Sequence, residues 1–300
     1  MKQGVLMLIV AYGAWGLLPL FWKFLQNIPS GQILAHRILW SFLFVAALIM
    51  LTARWQEVKA VLRKAKSVMA LVVSSLLISS NWFIYIWAVN HDHVIDTSLG
   101  YYINPLISVA LGMVVLRERL TVWQILSLSL AAVGVAVLTI EYGKFPWIGL
   151  SLALTFAFYG LAKKTVSVEP LVGLTLETFM AMPFALVYIL ILESSGTGVI
   201  GKASFAEWIG LICSGVVTAL PLLWFARGAK QVAMSTIGFL QYLSPTFTLL
   251  LGVFVFNESF STVHLISFSL IWCGLLVYTL SFTGLLRTKQ KSAPSVKKSF

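Results

Sequence analysis

From residue 4 to residue 283 the chain is a succession of apolar runs. Each is close to the ~20 residues needed to cross about 30 Å of hydrocarbon: 4–22, 31–53, 68–90, 97–116, 121–140, 146–162, 171–192, 205–226, 232–256 and 260–283. With 59% hydrophobic and only 10% charged residues, at a mean hydropathy of +0.94, there is more apolar side chain than a soluble core can hide. A lone segment in lipid satisfies its backbone only as a helix, so the pattern predicts an all-α polytopic membrane protein with ten transmembrane helices. The first run follows only Lys2 and lacks a small-residue cleavage site, which favours a span over a removable signal.

A net charge of +11 would point a soluble chain towards nucleic acid, but here the placement of the basic residues matters more than their sum. With the amino terminus inside, 17 of the 21 basic residues lie at cytoplasmic ends of runs: Lys2, five between 54 and 66, Arg117 and Arg119, Lys163 and Lys164, Arg227 and Lys230, and five after 286. Lys23, Lys144 and Lys202 fall on the other side, and Arg37 lies within a run. Positively charged loops resist translocation, so this asymmetry predicts a multi-pass protein of the cytoplasmic membrane with both termini cytoplasmic. The expected partners are the lipid bilayer and a small-molecule substrate, with no nucleic acid. Residues 284–300 read as a basic disordered cytoplasmic tail able to touch anionic lipid.

The stretch YYINPLISVALGMVVLRERLTVWQILSLSLAAVG (101–134) lies over QYLSPTFTLLLGVFVFNESFSTVHLISFSLIWCG (241–274) without a gap at an offset of 140. Tyr102 matches Tyr242, Pro105 matches Pro245, Gly112 matches Gly252, Glu118 matches Glu258, Ser127 matches Ser267 and Gly134 matches Gly274. Upstream the echo is fainter: YGAWGL (12–17) resembles FAFYGL (156–161), and His36 aligns with Glu177. Five helices per copy is an odd number, which turns the second copy over in the membrane. The charges agree, since LRERL in the first copy becomes FNESF in the second, keeping the glutamate and losing both arginines. The domains are thus a first repeat at 1–142, an inverted second repeat at 143–283 and the tail.

Inverted repeats place a solute site near the bilayer midplane, where helices are interrupted. Pro105 and Pro245 each stand 11 residues before the end of a run, about 16 Å in. Each should free the carbonyl four residues earlier, at Tyr101 and Gln241. Around them lie Tyr102, Asn104, Tyr242 and Ser244, and other runs offer Trp15, Asn81, Trp82, Tyr85, Tyr159 and Trp224. Such groups, with little fixed charge, suit a small zwitterion, amide or aromatic metabolite. Packing between helices is the alternative for each of them.

YGAWGLLPLFWKFL, AHRILWS, NWFIYIWAVN, SLGYYINPL, GLTLET, TALPLLWF and GFLQYLSPT run in order along almost the whole chain. In these blocks the sequence resembles the RarD permeases of the drug/metabolite transporter superfamily, whose repeat unit is the EamA domain. The resemblance implies ten helices, both termini inside, and movement of small molecules. RarD proteins are labelled chloramphenicol-sensitivity proteins, which does not establish a physiological substrate. The chain departs from the pattern at HDHVID (91–96), in an outer loop.

A charge at the centre of a bilayer costs at least ~2.5 kcal/mol, so Arg37 needs a reason. It either snorkels to the outer surface or, with His36, lines an outer vestibule that attracts a substrate carboxylate. Glu177 is the carboxylate clearly inside a run, about 10 Å from the inner face, too far from Arg37 to pair with it. His36, Arg37, Glu177, Pro105 and Pro245 are therefore the gating or coupling candidates, with Glu177 first for proton coupling.

GTGVIGKAS (196–204) falls one residue short of a phosphate-binding loop and lacks its hydroxyl and its strand, while His91, Asp92 and His93 in one tight loop make a poor metal set. Cys213 and Cys273 stand singly. With no nucleophile elbow or clustered titratable groups, no enzyme activity, cofactor or metal is expected. The function expected is a permease that moves a small organic solute by alternating access. A sensor or assembly scaffold on the same fold is the alternative, and small residues such as Gly134 and Gly274 leave a homodimer open.

Overall fold

The computed structural model describes residues 2–91, 93–257, 261–283 and 285. Glu258 and nearly all of the tail proposed for 284–300 lie outside these. Twelve helices account for the fold: α1 (Lys2–Phe24), α2 (Ser30–Leu51), α3 (Trp55–Leu62), α4 (Ala65–Asn90), α5 (Val94–Val114), α6 (Val122–Tyr142), α7 (Trp147–Thr165), α8 (Pro170–Ser194), α9 (Phe205–Ala229), α10 (Met234–Gln241), α11 (Leu243–Phe254) and α12 (Thr262–Phe282). Nine stretches among the described residues are long and apolar enough to cross a membrane, α10 and α11 counting together as one, Met234–Phe254. The nine do not include α7, whose last turn carries Lys163 and Lys164. The apolar run closes at 162, but the helix continues to Thr165 and takes both lysines into its last turn.

The repeat has a physical counterpart at nearly every punctuation mark. α5 and α10 begin at Val94 and Met234, α5 and α11 end at Val114 and Phe254, and α6 and α12 share both boundaries at the offset of 140. Just past the paired helix ends, Arg117 and Asn257 both turn the chain at φ 55°, a conformation few side chains adopt. Thr121 and Ser261 then cap α6 and α12, their hydroxyls accepting from the N–H of Gln124 and His264. Equivalent caps at equivalent positions make the two copies fold alike although their side chains differ.

The copies meet through contacts that repeat themselves. A Cβ on Gly134 of α6 would stand 2.7 Å from the carbonyl oxygen of Ser267, and one on Gly274 of α12 would stand 2.8 Å from that of Ser127. Ser127 and Ser267 are themselves a matched pair, so the crossing is self-complementary: each glycine seats the other copy's serine backbone. Both glycines are thus used inside one chain. The fainter echo meets itself as well, with Trp15 5.7 Å from Phe156 in a cluster that also holds Tyr12, Tyr159 and Phe225.

At the prolines the copies differ. The helix carrying Pro245 breaks at Tyr242, because the proline supplies no N–H to the carbonyl of Gln241 and its ring crowds that turn. α5 passes through Pro105 without interruption, correcting the expectation of two broken helices. One missing hydrogen bond need not break a helix that its neighbours hold, and α5 is clamped there. The Pro105 carbonyl would lie 2.7 Å from a Cβ on Gly238 of α10, an approach only glycine allows.

Candidate functional site

α8 is buried on all sides over its first half, from Leu171 through Thr178. That makes its inner turns the centre of the bundle, and Glu177 is only 2% exposed there. A carboxylate so placed survives only if paired and fully hydrogen-bonded. Lys163, from the last turn of α7, brings Nζ to 2.6 Å from both carboxylate oxygens. Ser74 of α4 donates to Oε1 at 2.6 Å, and the Tyr159 hydroxyl stands 3.5 Å from Oε2. Ser75 donates to the Glu177 backbone carbonyl at 3.1 Å, tying α4 to the same turn. The Lys163 ammonium also lies 5.2 Å from the centre of the Tyr159 ring.

Two hollows open from this carboxylate. One, of about 260 Å³, runs towards the end of the bundle that carries most basic residues; Ser74, Lys163, Glu169, Gly173 and Lys230 are among its walls. The other, of about 220 Å³, runs the opposite way between Ile78, Trp82, Tyr159, Leu174 and Leu222. The enclosed space in each is only about 10 Å³, room for roughly one water and far below the ~300–1,000 Å³ of ordinary small-molecule sites.

Trp82 links the second hollow to a second charged group. The Arg37 guanidinium, projecting from α2, lies 4.9 Å from the Trp82 ring and 5.6 Å from that of Trp22. The Tyr85 and Tyr101 hydroxyls are close enough to interact with it electrostatically. Among the described residues no carboxylate comes within ion-pairing distance, and Nε is buried without a hydrogen-bond partner. The bundle thus holds one neutralised ion pair and, among the described residues, one cation with no carboxylate partner that lies beside the Trp22 and Trp82 rings.

The basic end is fastened shut. Glu169 caps α8 by accepting from the N–H of Leu171 and Val172, and its other oxygen pairs with Arg54 at 3.1 Å and Arg227 at 3.8 Å. Lys230 donates to the Val168 carbonyl and Lys164 to that of Val232. Glu118 receives the first N–H groups of α10, from Met234 at 2.6 Å and Ser235 at 2.9 Å, which also suits the helix dipole.

Comparison with known proteins fits this architecture. The sequence matches the EamA-like transporter family over residues 2–140 and again over 146–280. This chain belongs to the EamA-like transporter family. An uncharacterized transporter, YojE of Bacillus subtilis, is 47% identical over 284 residues, covering 93% of this chain and 94% of its own. Protein RarD of Escherichia coli is 38% identical over 279 residues, covering 93% and 94%. A solved crystal structure superposes with a TM-score of 0.71 at 19% identity, over 96% of this chain and all of its own, which shows a shared fold. An EamA-like chain with this many apolar helices is a multi-pass membrane protein.

Within this EamA-like bundle the residues singled out from sequence divide into two groups. Trp82, Tyr85, Tyr101, Arg37, Glu177 and Tyr159 gather along the two hollows or around the guanidinium. The others join helices. Asn81 donates to the Leu152 carbonyl at 2.8 Å and to Thr155 at 2.9 Å on α7. The Ser108 hydroxyl of α5 reaches Gln241 of α10 at 3.3 Å, joining the two helices, and shares its proton with Asn104 one turn back on α5. Tyr102 stacks edge-on against Phe268, and Tyr242 is buried with Ala131, Val135 and Ile271 between α6 and α12. The Ser244 carbonyl would come 2.8 Å from a Cβ on Gly16, where α1 crosses α11. Trp15 and Trp224 pack against the main core, and His36 meets Trp208 edge-on at 5.6 Å with its Nδ1 buried and unpartnered.

Lys163, Ser74, Trp22 and Glu169 were missed. Lys163 stands at the cytoplasmic end of its run, where it reads as a topology signal, yet a buried carboxylate demands a counter-charge. Lys163 lies two residues from the end of α7 and Glu177 seven residues into α8, and the long lysine stem spans that difference across the short 166–169 connection. Serine and tryptophan carry no comparable signal in a helix.

Proposed function

We propose that this chain is a secondary transporter of the cytoplasmic membrane that moves a small organic solute bearing a carboxylate by alternating access. It crosses ten times, α7 included, with the second repeat inverted, both termini cytoplasmic and the basic end facing the cytoplasm. It is a carrier and not an enzyme, and uses no cofactor. Arg37 carries this reading. A guanidinium within a span, beside the rings of Trp22 and Trp82, near the Tyr85 and Tyr101 hydroxyls and with no carboxylate at ion-pairing distance among the described residues, is a charge left for the solute to balance. The aromatic faces supply contact for an apolar or aromatic body. The narrow hollows and fastened basic end correspond to a state closed towards the cytoplasm.

The test is counterflow in proteoliposomes loaded in turn with neutral amino acids, amides, aromatic acids and chloramphenicol. Carboxylate-bearing solutes should exchange saturably. Arg37→Gln should raise their half-saturation concentration about 10- to 100-fold, the range expected for a desolvated charge-assisted contact of about 1.5–3 kcal/mol. Arg37→Lys should recover part of the loss, since a lysine offers charge without the fork. Equal exchange of neutral amides in wild type and Arg37→Gln, with no preference for acids, would refute the carboxylate assignment.

A further inference from the structure

Glu177 holds a cation that is not a fixture. Lys163 hangs from the last turn of α7 on a four-carbon tether and forms part of the wall of the hollow that leads to the basic end. The rest of the Glu177 cage is neutral: Ser74 and Ser75 on α4, Tyr159 on α7 and Thr178 on α8 itself. α9 contributes Leu222 and Ala226 to the hollow walls, with Lys230 just beyond its end, and α2 contributes no residue to either hollow. Glu169 is the other carboxylate in those walls, nearer the basic end. A lysine that withdraws from Glu177 therefore moves towards Glu169, the carboxylate that Arg54 and Arg227 share at the basic end.

Withdrawal would strand a buried carboxylate, which costs several kcal/mol unless another cation replaces the ammonium. The proton is the smallest replacement, and when the carboxylate becomes an acid one of the two hydroxyls around it can turn to accept the new O–H while the other goes on donating to the carbonyl oxygen. Ammonium and proton cannot serve the same oxygens together, because the pair at 2.6 Å exists only while the carboxylate is charged. We propose that Lys163 and a proton alternate on Glu177, and that this exchange couples solute movement to the proton gradient, a step that rests on the carrier reading above. The lysine holds the carboxylate while the basic end is closed. When α4, α7, α8 and α9 part there, the lysine swings out and a proton from the cytoplasm takes its place.

The experiment uses full-length protein in vesicles containing trapped pyranine, with whichever panel solute exchanges as cargo, and empty vesicles to subtract passive diffusion of the acid. In wild type a pH step of one unit should drive solute up to about tenfold from equilibrium, with a dye response that requires solute. The double variant Lys163→Gln, Glu177→Gln removes both charges together and so avoids an unpaired buried ion. It should still exchange solute, yet bring the inside-to-outside ratio to about 1 under the same step, with no dye response. Wild-type accumulation without dye response, or a double variant that accumulates severalfold, would overturn the proposal. Absence of counterflow by wild type with every solute would instead overturn the carrier reading beneath it.

Discussion

At the scale of single residues, the Glu177–Lys163 pair ties stability to burial in a measurable way. Lys163→Met keeps the bulk of the stem but leaves a carboxylate 2% exposed without its counter-charge. Removing one partner of such a pair costs about 3–5 kcal/mol, whereas neutralising both is often close to harmless. Thermal unfolding in detergent should therefore show a large drop in Tm for Lys163→Met and a much smaller one for the double variant Lys163→Gln, Glu177→Gln. A double variant as unstable as Lys163→Met would mean that packing and not charge governs the site. Glu177 was legible in the sequence because a carboxylate in an apolar run is conspicuous. Lys163 was not, since a cation at the edge of a run looks like any other topology signal until the helix is seen to carry it inward. Arg37 was equally conspicuous, and the rings of Trp22 and Trp82 lie beside its guanidinium.

At the scale of elements, the offset of 140 made α5, α6, α10, α11 and α12 readable almost to the residue, because capping hydroxyls and left-handed turns recur with the pattern. The proline break was readable only by half. Proline removes one hydrogen bond wherever it sits, but whether the helix then parts depends on neighbours, and the neighbour that clamps Pro105 is Gly238, 133 positions away. The partners of the midplane polar residues were not readable for a related reason: Asn81 and Gln241 bond to other helices and Asn104 to Ser108 on its own, which side-chain chemistry alone does not reveal. The α6–α12 crossing offers a direct test. Gly134→Leu would drive a Cβ to within 2.7 Å of a backbone oxygen that no rotamer change can move. A cost of about 1–3 kcal/mol or more is expected, read as a lower Tm. Gly274→Leu should cost a similar amount by the mirrored contact. Once either has prised the crossing open the second finds it loosened, so the double variant should fall well short of the sum. Strict additivity would show that the two contacts act independently.

At the scale of the whole molecule, the distribution of fastenings says which way the bundle is set. The basic end is held by Glu169 between Arg54, at the start of α3, and Arg227 of α9, and by two lysines donating to the carbonyls of Val168 and Val232. The Arg54 pair ties the α2–α3 connection of the first repeat to the α7–α8 connection of the second, and the other bonds tie that connection, α7 and α9 together around the hollow on the basic side. Glu169→Gln keeps an acceptor for the α8 cap but removes the charge that both arginines share. All three side chains are about a third exposed, so the two pairs together are worth about 1 kcal/mol, a shift of about fivefold towards the open form. Gly173 lies in the wall of that hollow, where an added Cβ meets only ordinary contacts, so Gly173→Cys is a mild reporter. With Cys213 and Cys273 replaced, a membrane-impermeant thiol reagent applied to inside-out vesicles should label Gly173→Cys about fivefold faster when Glu169→Gln is also present. Raising the salt should narrow the difference by labelling the unmodified background faster, because partly exposed pairs are screened. Labelling that is indifferent to both Glu169→Gln and salt would mean that the opening is governed by the packing of α2 against α8 and α9, with the charges at the basic end serving only orientation in the membrane.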